Sequence, residues 1–232
     1  MPKIVRTELI QALARVEPGR STKSFIEQSA CYVFFDGWVA TFNDEVCCRS
    51  KSGLPKDING AVHGKPLKDV LDNMSDDEIS VDVVGNEFQV SGSRKKSGIR
   101  LQAEIVLPID TVDSPEEWTT FDNPDEFAEA VKQVCQAAGT DDEEFVAACV
   151  HLTPDYMEAS DRKSSAMRYD TPVGVSRKCL VRAKSLVHVG PLGVTKMGET
   201  ESWLHFRNKL VCISVRRQLD DYMDTGALWQ TK

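Results

Sequence analysis

The sequence predicts an α+β protein of two tandem, similar domains, each with two helices on one face of antiparallel sheet. Three observations lead there. The chain repeats itself at about half its length, each repeat carries apolar residues at helical spacing, and turn residues separate short runs rich in β-branched and aromatic side chains. A repeat of that length means two related domains; a solenoid needs several units of roughly 20–50 residues.

The duplication is read by register. Trp38 set on Tyr156 (156 − 38 = 118) also pairs Ala30 with Ala148, Cys31 with Cys149 and Val39 with Met157. The same offset places Leu9, Ala12, Leu13 and Val16 on Phe127, Ala130, Val131 and Val134. Further on, Val62, Lys65 and Leu67 match Val181, Lys184 and Leu186 at offset 119, and Asn86, Arg94 and Lys95 match Asn208, Arg216 and Arg217 at offset 122.

Each element has a local reason. Thr7 is placed to cap a helix to Val16, with Leu9, Ala12, Leu13 and Val16 as its buried stripe, stopped by Glu17-Pro18-Gly19. After the basic loop Arg20–Lys23 a strand runs through Phe34, Asp36-Gly37 turns it into Trp38–Phe42, and Val46–Ser50 follows. A second helix spans Pro66–Met74, with proline in its first turn and Leu67, Val70, Leu71 and Met74 on one side. Strands Ile79–Val84 and Glu87–Gly92 turn at Gly85-Asn86, and Gly98–Glu104 closes the first half. Residues 1–107 form the first domain, 108–123, rich in proline and acid, a connector, and 124–232 the second domain.

The second half repeats the scheme. Asn123-Pro124-Asp125 starts a third helix whose buried face is Phe127, Ala130, Val131 and Val134, and Gly139 ends it. A fourth helix, Ala183–Val189, is clipped by Gly190-Pro191. Strands Trp203–Phe206 and Lys209–Val215 turn at Arg207-Asn208, and Leu219–Lys232 is a tail.

Composition excludes several function classes. With 232 residues and 41% hydrophobic content, each domain can bury a core. No signal-like start and no bilayer-length apolar run is present, so the expectation is a cytoplasmic protein without membrane contact. Seven cysteines, none in a CxxC pair and most among apolar neighbours, read as reduced core thiols. Four scattered histidines give no ligand spacing, so no metal and no cofactor are expected. There is no Gly-rich phosphate cradle, and the runs Asp76-Asp77 and Asp141–Glu144 lack calcium-loop spacing, so catalysis has no support. A net charge of −8 argues against holding nucleic acid by bulk attraction.

The ordered repeat resembles the DNA sliding clamps, the processivity factors of replicative polymerases, over nearly the whole chain. Trp38–Glu45 (WVATFNDE) and Tyr156–Arg162 (YMEASDR) are similar to the family's strand ending in an Ala-Thr-Asp-like turn, and Ser214–Tyr222 (SVRRQLDDY) looks like the segment that closes bacterial clamps. The resemblance implies two tandem clamp domains and a ring of six domains, hence a homotrimer, around double-stranded DNA. A two-domain chain with bacterial-like motifs leans towards a phage origin. The resemblance further implies helices facing DNA, with Arg15, Lys65, Lys68, Lys132, Lys184 and His188 opposite the core stripes and Arg20 and Lys23 on a rim loop. Between Leu101 and Asp161, Lys132 is the only Lys or Arg. The bland alternative for each is a solvated surface charge.

The subunit contact implied is an antiparallel pairing of the strand bearing Ile99, Arg100, Leu101 and Glu104 with Ser164–Asp170, bearing Ala166, Arg168 and Asp170; two ordinary charge-blunted edges are the alternative. DNA polymerase and clamp loader would bind through short peptides in a pocket of Phe42, Ile109, Val112, Trp118, Tyr222 and Met223, although Trp118 could instead cover an edge of the second domain. The rival function is a monomeric clamp-fold protein that binds protein or DNA without encircling it.

Overall fold

The structure is a computed structural model describing residues 3–23, 25–140 and 144–229. It divides into two compact units, residues 1–112 with 210–213, and residues 113–209 with 214–232.

The first unit contains β1 (Lys3–Val5), α1 (Arg6–Val16), a 3-10 turn (Glu17–Gly19), β2 (Cys31–Phe35), β3 (Trp38–Phe42) and β4 (Val46–Lys51). It continues with β5 (Gly60–His63), α2 (Gly64–Asp72), β6 (Glu78–Val84), β7 (Glu87–Ser91), β8 (Lys96–Gln102) and a 3-10 turn (Ile109–Thr111). Its strands pair antiparallel in the order β1-β6-β7-β8-β5-β2-β3-β4.

The second unit contains β9 (Thr119–Thr120), α3 (Pro124–Ala137), β10 (Cys149–Leu152), β11 (Met157–Ser160), β12 (Ala166–Tyr169) and β13 (Cys179–Arg182). Then come α4 (Ala183–Leu186), a 3-10 turn (Gly190–Leu192), β14 (Lys196–Glu199), β15 (Trp203–Arg207), β16 (Val211–Arg216), whose residues 211–213 count with the first unit, and a 3-10 turn (Gly226–Leu228). One sheet is β12-β11-β10-β13, and β9, β14 and β15 pair in a second. The chain therefore runs strand, helix, three strands four times over, twice in each unit.

Two details show how closely the units repeat. The residues preceding α2 and α4, His63 and Arg182, share φ −59° and ψ 128° and lie 119 apart (182 − 63). Gly64 N donates to Ala30 O and Ala183 N to Ala148 O, both at 3.0 Å.

Local chemistry explains most elements. The buried stripe of α1 is Leu9, Ala12, Leu13 and Val16, and that of α3 adds Ala137 to Phe127, Ala130, Val131 and Val134. Asn123 caps α3 by accepting from Glu126 N at 3.2 Å, with Pro124 in the first turn. Asp36 and Gly37 take φ 46° and 78°, the left-handed pair that a two-residue hairpin requires. Gly60, at φ 129°, lets β5 approach β8: a Cβ there would lie 2.7 Å from Gln102 O. The aromatic cores are Phe34 stacked on Phe88 at 5.3 Å in the first unit, and Phe127 between Phe121 (4.1 Å) and Phe206 (5.7 Å) in the second. Each such ring, removed from water, contributes about 1.5–3 kcal/mol.

Several expectations are corrected. Thr7 does not cap α1, because β1 feeds the helix directly and Val5 precedes it without a side-chain cap. The second helix starts two residues before Pro66 and ends at Asp72, and the fourth is one short turn followed by a 3-10 turn. The register at offset 122 fails, since Asn86 lies in the β6–β7 turn and Asn208 in the β15–β16 turn. The cause is β14: Lys196-Met-Gly-Glu199 has no β-branched residue, so the sequence hides it and the hairpins are miscounted by one strand. The span 108–123 carries the 3-10 turn and β9, and the division between units falls inside it.

Candidate nucleic-acid and partner surfaces

The basic residues expected to face DNA lie in unlike environments. Lys23 and Lys65 are exposed and Arg15 is half-buried in the last turn of α1. Arg20 and Lys68 instead converge on Glu17. The Arg20 guanidinium donates to both carboxylate oxygens, from Nε at 3.1 Å and Nη2 at 2.5 Å, with its side chain only 13% exposed, and Lys68 Nζ stands 3.4 Å away. The Tyr32 hydroxyl donates to the same carboxylate at 2.5 Å. Burial draws the Glu17 pKa up, but hydrogen bonds from Arg20 and Tyr32 and the charges of Arg20 and Lys68 more than offset it, leaving it below the usual carboxylate value. Arg20 is thereby a structural cation, and its partner three residues earlier is the sequence signal that gives it away.

In the second unit Lys132 and Lys184 come together. With Arg182 they line a cavity of about 310 Å³ between α3 and α4, whose walls include Cys135, Ala148 and Val187. Lys132 also bonds Glu129 at 3.2 Å on the exposed face of α3. His188 is exposed beyond α4, and partial desolvation lowers its pKa, so it carries no charge at neutral pH.

Of the strands expected at a subunit contact, β12 is open along one side, whereas β8 lies between β7 and β5 and is uncovered on its β5 side only over Lys96–Arg100. β12 pairs only with β11 and ends its sheet. Lys96–Arg100 of β8 pair with β7, and only Leu101 and Gln102 reach β5. Ile99 and Leu101 point into the core at 7% and 4% exposure, while Arg100, Glu104, Ala166 and Asp170 are exposed. Arg168 bonds Asp170 at 2.8 Å and lies 3.6 Å from the Tyr156 ring.

The six residues expected to form a partner pocket are distributed over both units. Phe42, Ile109 and Val112 are buried in the first, where Arg49 Nη2 donates to Ile109 O at 2.5 Å. Trp118 belongs to the second, with the Arg207 guanidinium 3.7 Å from its ring and His205 at its edge, 6.4 Å away. Tyr222 stacks on His151 at 4.8 Å, and Met223 is half-buried.

A polar cluster that the sequence reading missed lies beneath Tyr222. Glu158 on β11 faces His151 on β10, and their side chains meet at 2.9 Å. Glu158 is 2% exposed, and its other oxygen accepts from Thr225 Oγ1 at 2.9 Å and Trp229 Nε1 at 2.8 Å. Burial raises its pKa, but the hydrogen bonds of His151, Thr225 and Trp229 prevail and lower it, so it is ionised. Cys149 lies two residues from His151 on β10, but its thiol bonds Phe145 O at 3.2 Å.

Among the described residues no three His, Cys, Asp or Glu side chains group as metal ligands. No helix among them is long and apolar enough to cross a membrane.

No family model matches the chain, and no curated protein matches it. Solved structures do. The DNA polymerase III beta subunit of Thermotoga maritima aligns over 98% of this chain and 67% of its own, with TM-score 0.78 and 14% identity. The DNA polymerase sliding clamp of Bacillus subtilis aligns over 99% and 67%, with TM-score 0.76 and 14% identity. The DNA polymerase III subunit beta of Pseudomonas aeruginosa gives 99% and 68%, 0.76 and 12%. The chain has the fold of the DNA sliding clamps.

Proposed function

We propose that the protein is a DNA sliding clamp, a non-catalytic ring that encloses duplex DNA and tethers a polymerase to it. The observation that carries this reading is the fold match, which extends over 98% of the chain rather than one unit of it. Stoichiometry follows from length. This chain spans 67% of the matching subunit, as two repeats of three would, so a ring of six units takes three copies.

Repeat logic supports a head-to-tail contact. Within the first unit, β4 is flanked by the segment that begins β16, with Lys51 N donating to Leu210 O at 3.1 Å. The counterpart of β4 in the second unit is β12, which ends its sheet, and the counterpart of β16 in the first is β8, whose Lys96–Arg100 pair with β7 and leave β5 to Leu101 and Gln102. Pairing β12 of one copy with β8 of the next would resemble the pairing of β4 with residues 210–213 inside the first unit. The opposing view, a chain that acts alone, is favoured by Arg168, whose guanidinium is already engaged by Asp170 and Tyr156.

DNA contact in this reading is weak by design. Glu17 offsets Arg20 and Lys68, His188 is neutral, and the net charge is −8, so enclosure replaces the phosphate contacts that an open binder needs. Lys132 and Lys184 are the phosphate-facing pair, and polymerase and loader engage the ring through short peptides. Two measurements test this. Light scattering on the eluting protein should give three chains per particle at micromolar concentration, and one chain would overturn the ring. Protein loaded on nicked circular DNA should stay bound and leave once the circle is cut, whereas a groove binder would be indifferent to cutting.

A further inference from the structure

The second unit holds its own residues 219–229 against a buried carboxylate. Along β11 the sequence Met157-Glu-Ala-Ser160 alternates, with Met157 and Ala159 in the core and Glu158 on the opposite side of the sheet beside His151. A carboxylate almost fully removed from water is costly unless it is paired and hydrogen-bonded. Here two of its three donors come from the tail: the Thr225 hydroxyl and, four residues on, the Trp229 indole.

Among the described residues, few backbone bonds tie that segment to the sheet. The last backbone pairing to the sheet is Leu180 with Gln218, in both directions at 2.9 Å. Beyond it the described backbone groups bond within the segment itself, Leu228 N to Thr225 O and Gly226 N to the Asp224 side-chain Oδ1. Lys178 and Asp221 meet only at 3.5 Å with both side chains mostly in water. Apolar burial is partial, with Tyr222, Met223 and Trp229 half-buried while Leu219 and Leu228 remain 59% and 57% exposed. A hydroxyl and an indole aimed at one buried carboxylate, with Tyr222 stacked on His151, are specific recognition by a segment that can leave without unravelling a strand.

We propose that the outer face of β10 and β11 is a peptide site keyed by Glu158, occupied by the chain's own residues 219–229 as a displaceable plug. A competing peptide needs a hydroxyl donor and an indole donor four residues apart, with an aromatic ring three residues before the hydroxyl to cover His151. This stands apart from the ring reading, and a chain that proved monomeric would leave it intact.

The test uses the full chain and a fluorescein-labelled synthetic peptide of residues 219–232, read by anisotropy. The variant Thr225→Val/Trp229→Phe, whose tail cannot engage the carboxylate, should bind the peptide at least tenfold more tightly than the unaltered chain. Adding Glu158→Gln to that variant should abolish the gain. Equal binding by the unaltered and double variants, binding that survives Glu158→Gln, or no binding by any of them overturns the proposal. A second readout needs no peptide. Under limited proteolysis Glu158→Gln should lose its tail at least tenfold faster than the unaltered chain while the rest stays intact, and equal rates would count against the plug.

Discussion

Glu17 gathers Arg20, Tyr32 and Lys68 around one carboxylate, so its titration should be visible in stability. Its folded pKa lies below the unfolded value of 4.5, so its contribution is complete above that pH and is lost as pH falls through the folded value. The thermal midpoint of Glu17→Gln should therefore be lower near neutrality and flatter on the acid side than that of the unaltered chain; parallel curves would show that the cluster does not couple to folding. Phe127, 1% exposed between two other rings, gives the packing counterpart, and Phe127→Ala should cost about 3–5 kcal/mol by denaturant unfolding. The two residues also mark what a sequence reveals. Phe127 is legible because its neighbours repeat at helical spacing. Glu158 is not, because its tail donors stand 67 and 71 positions away and only folding brings them together.

Helices α1 and α3 were readable because each buries one face on a sheet, which forces apolar residues into a 3.6-residue rhythm. The short strands were not. β1 has three residues, β9 two, and β14 includes a glycine, so pairing with neighbours rather than local preference makes them strands. In the proposed ring, function at this scale would rest on β12 and on Lys132 of α3 and Lys184 of α4. Met167, 37% exposed on β12, is a suitable probe of the outer edge. Met167→Asp should reduce the particle from three chains to one while altering monomer stability by no more than ~0.5 kcal/mol. An unchanged mass would remove β12 from the contact. Replacing Lys132 and Lys184 by Gln should reduce the slope of log affinity for short linear duplex against log salt by about 1.8, the effect of losing two phosphate contacts. An unchanged slope would place both lysines away from DNA.

Across the whole molecule the fourfold strand–helix–three-strand plan is what the sequence half disclosed. The duplication was plain from Leu9 and Phe127, but the finer repeat inside each unit was hidden by β14 and by the miscounted hairpin at Asn208. In the proposed ring, the open edge of β12 and the stretch Lys96–Arg100 of β8 carry a consequence for growth of the assembly. Because the two edges differ, joining copies through them consumes one of each and always leaves one of each behind. Addition stops only when the first copy meets the last, so the turn per subunit decides between a finite circle and an endless helical filament. Substitutions that alter that turn without weakening the strand pairing should yield fibres visible by electron microscopy rather than free subunits.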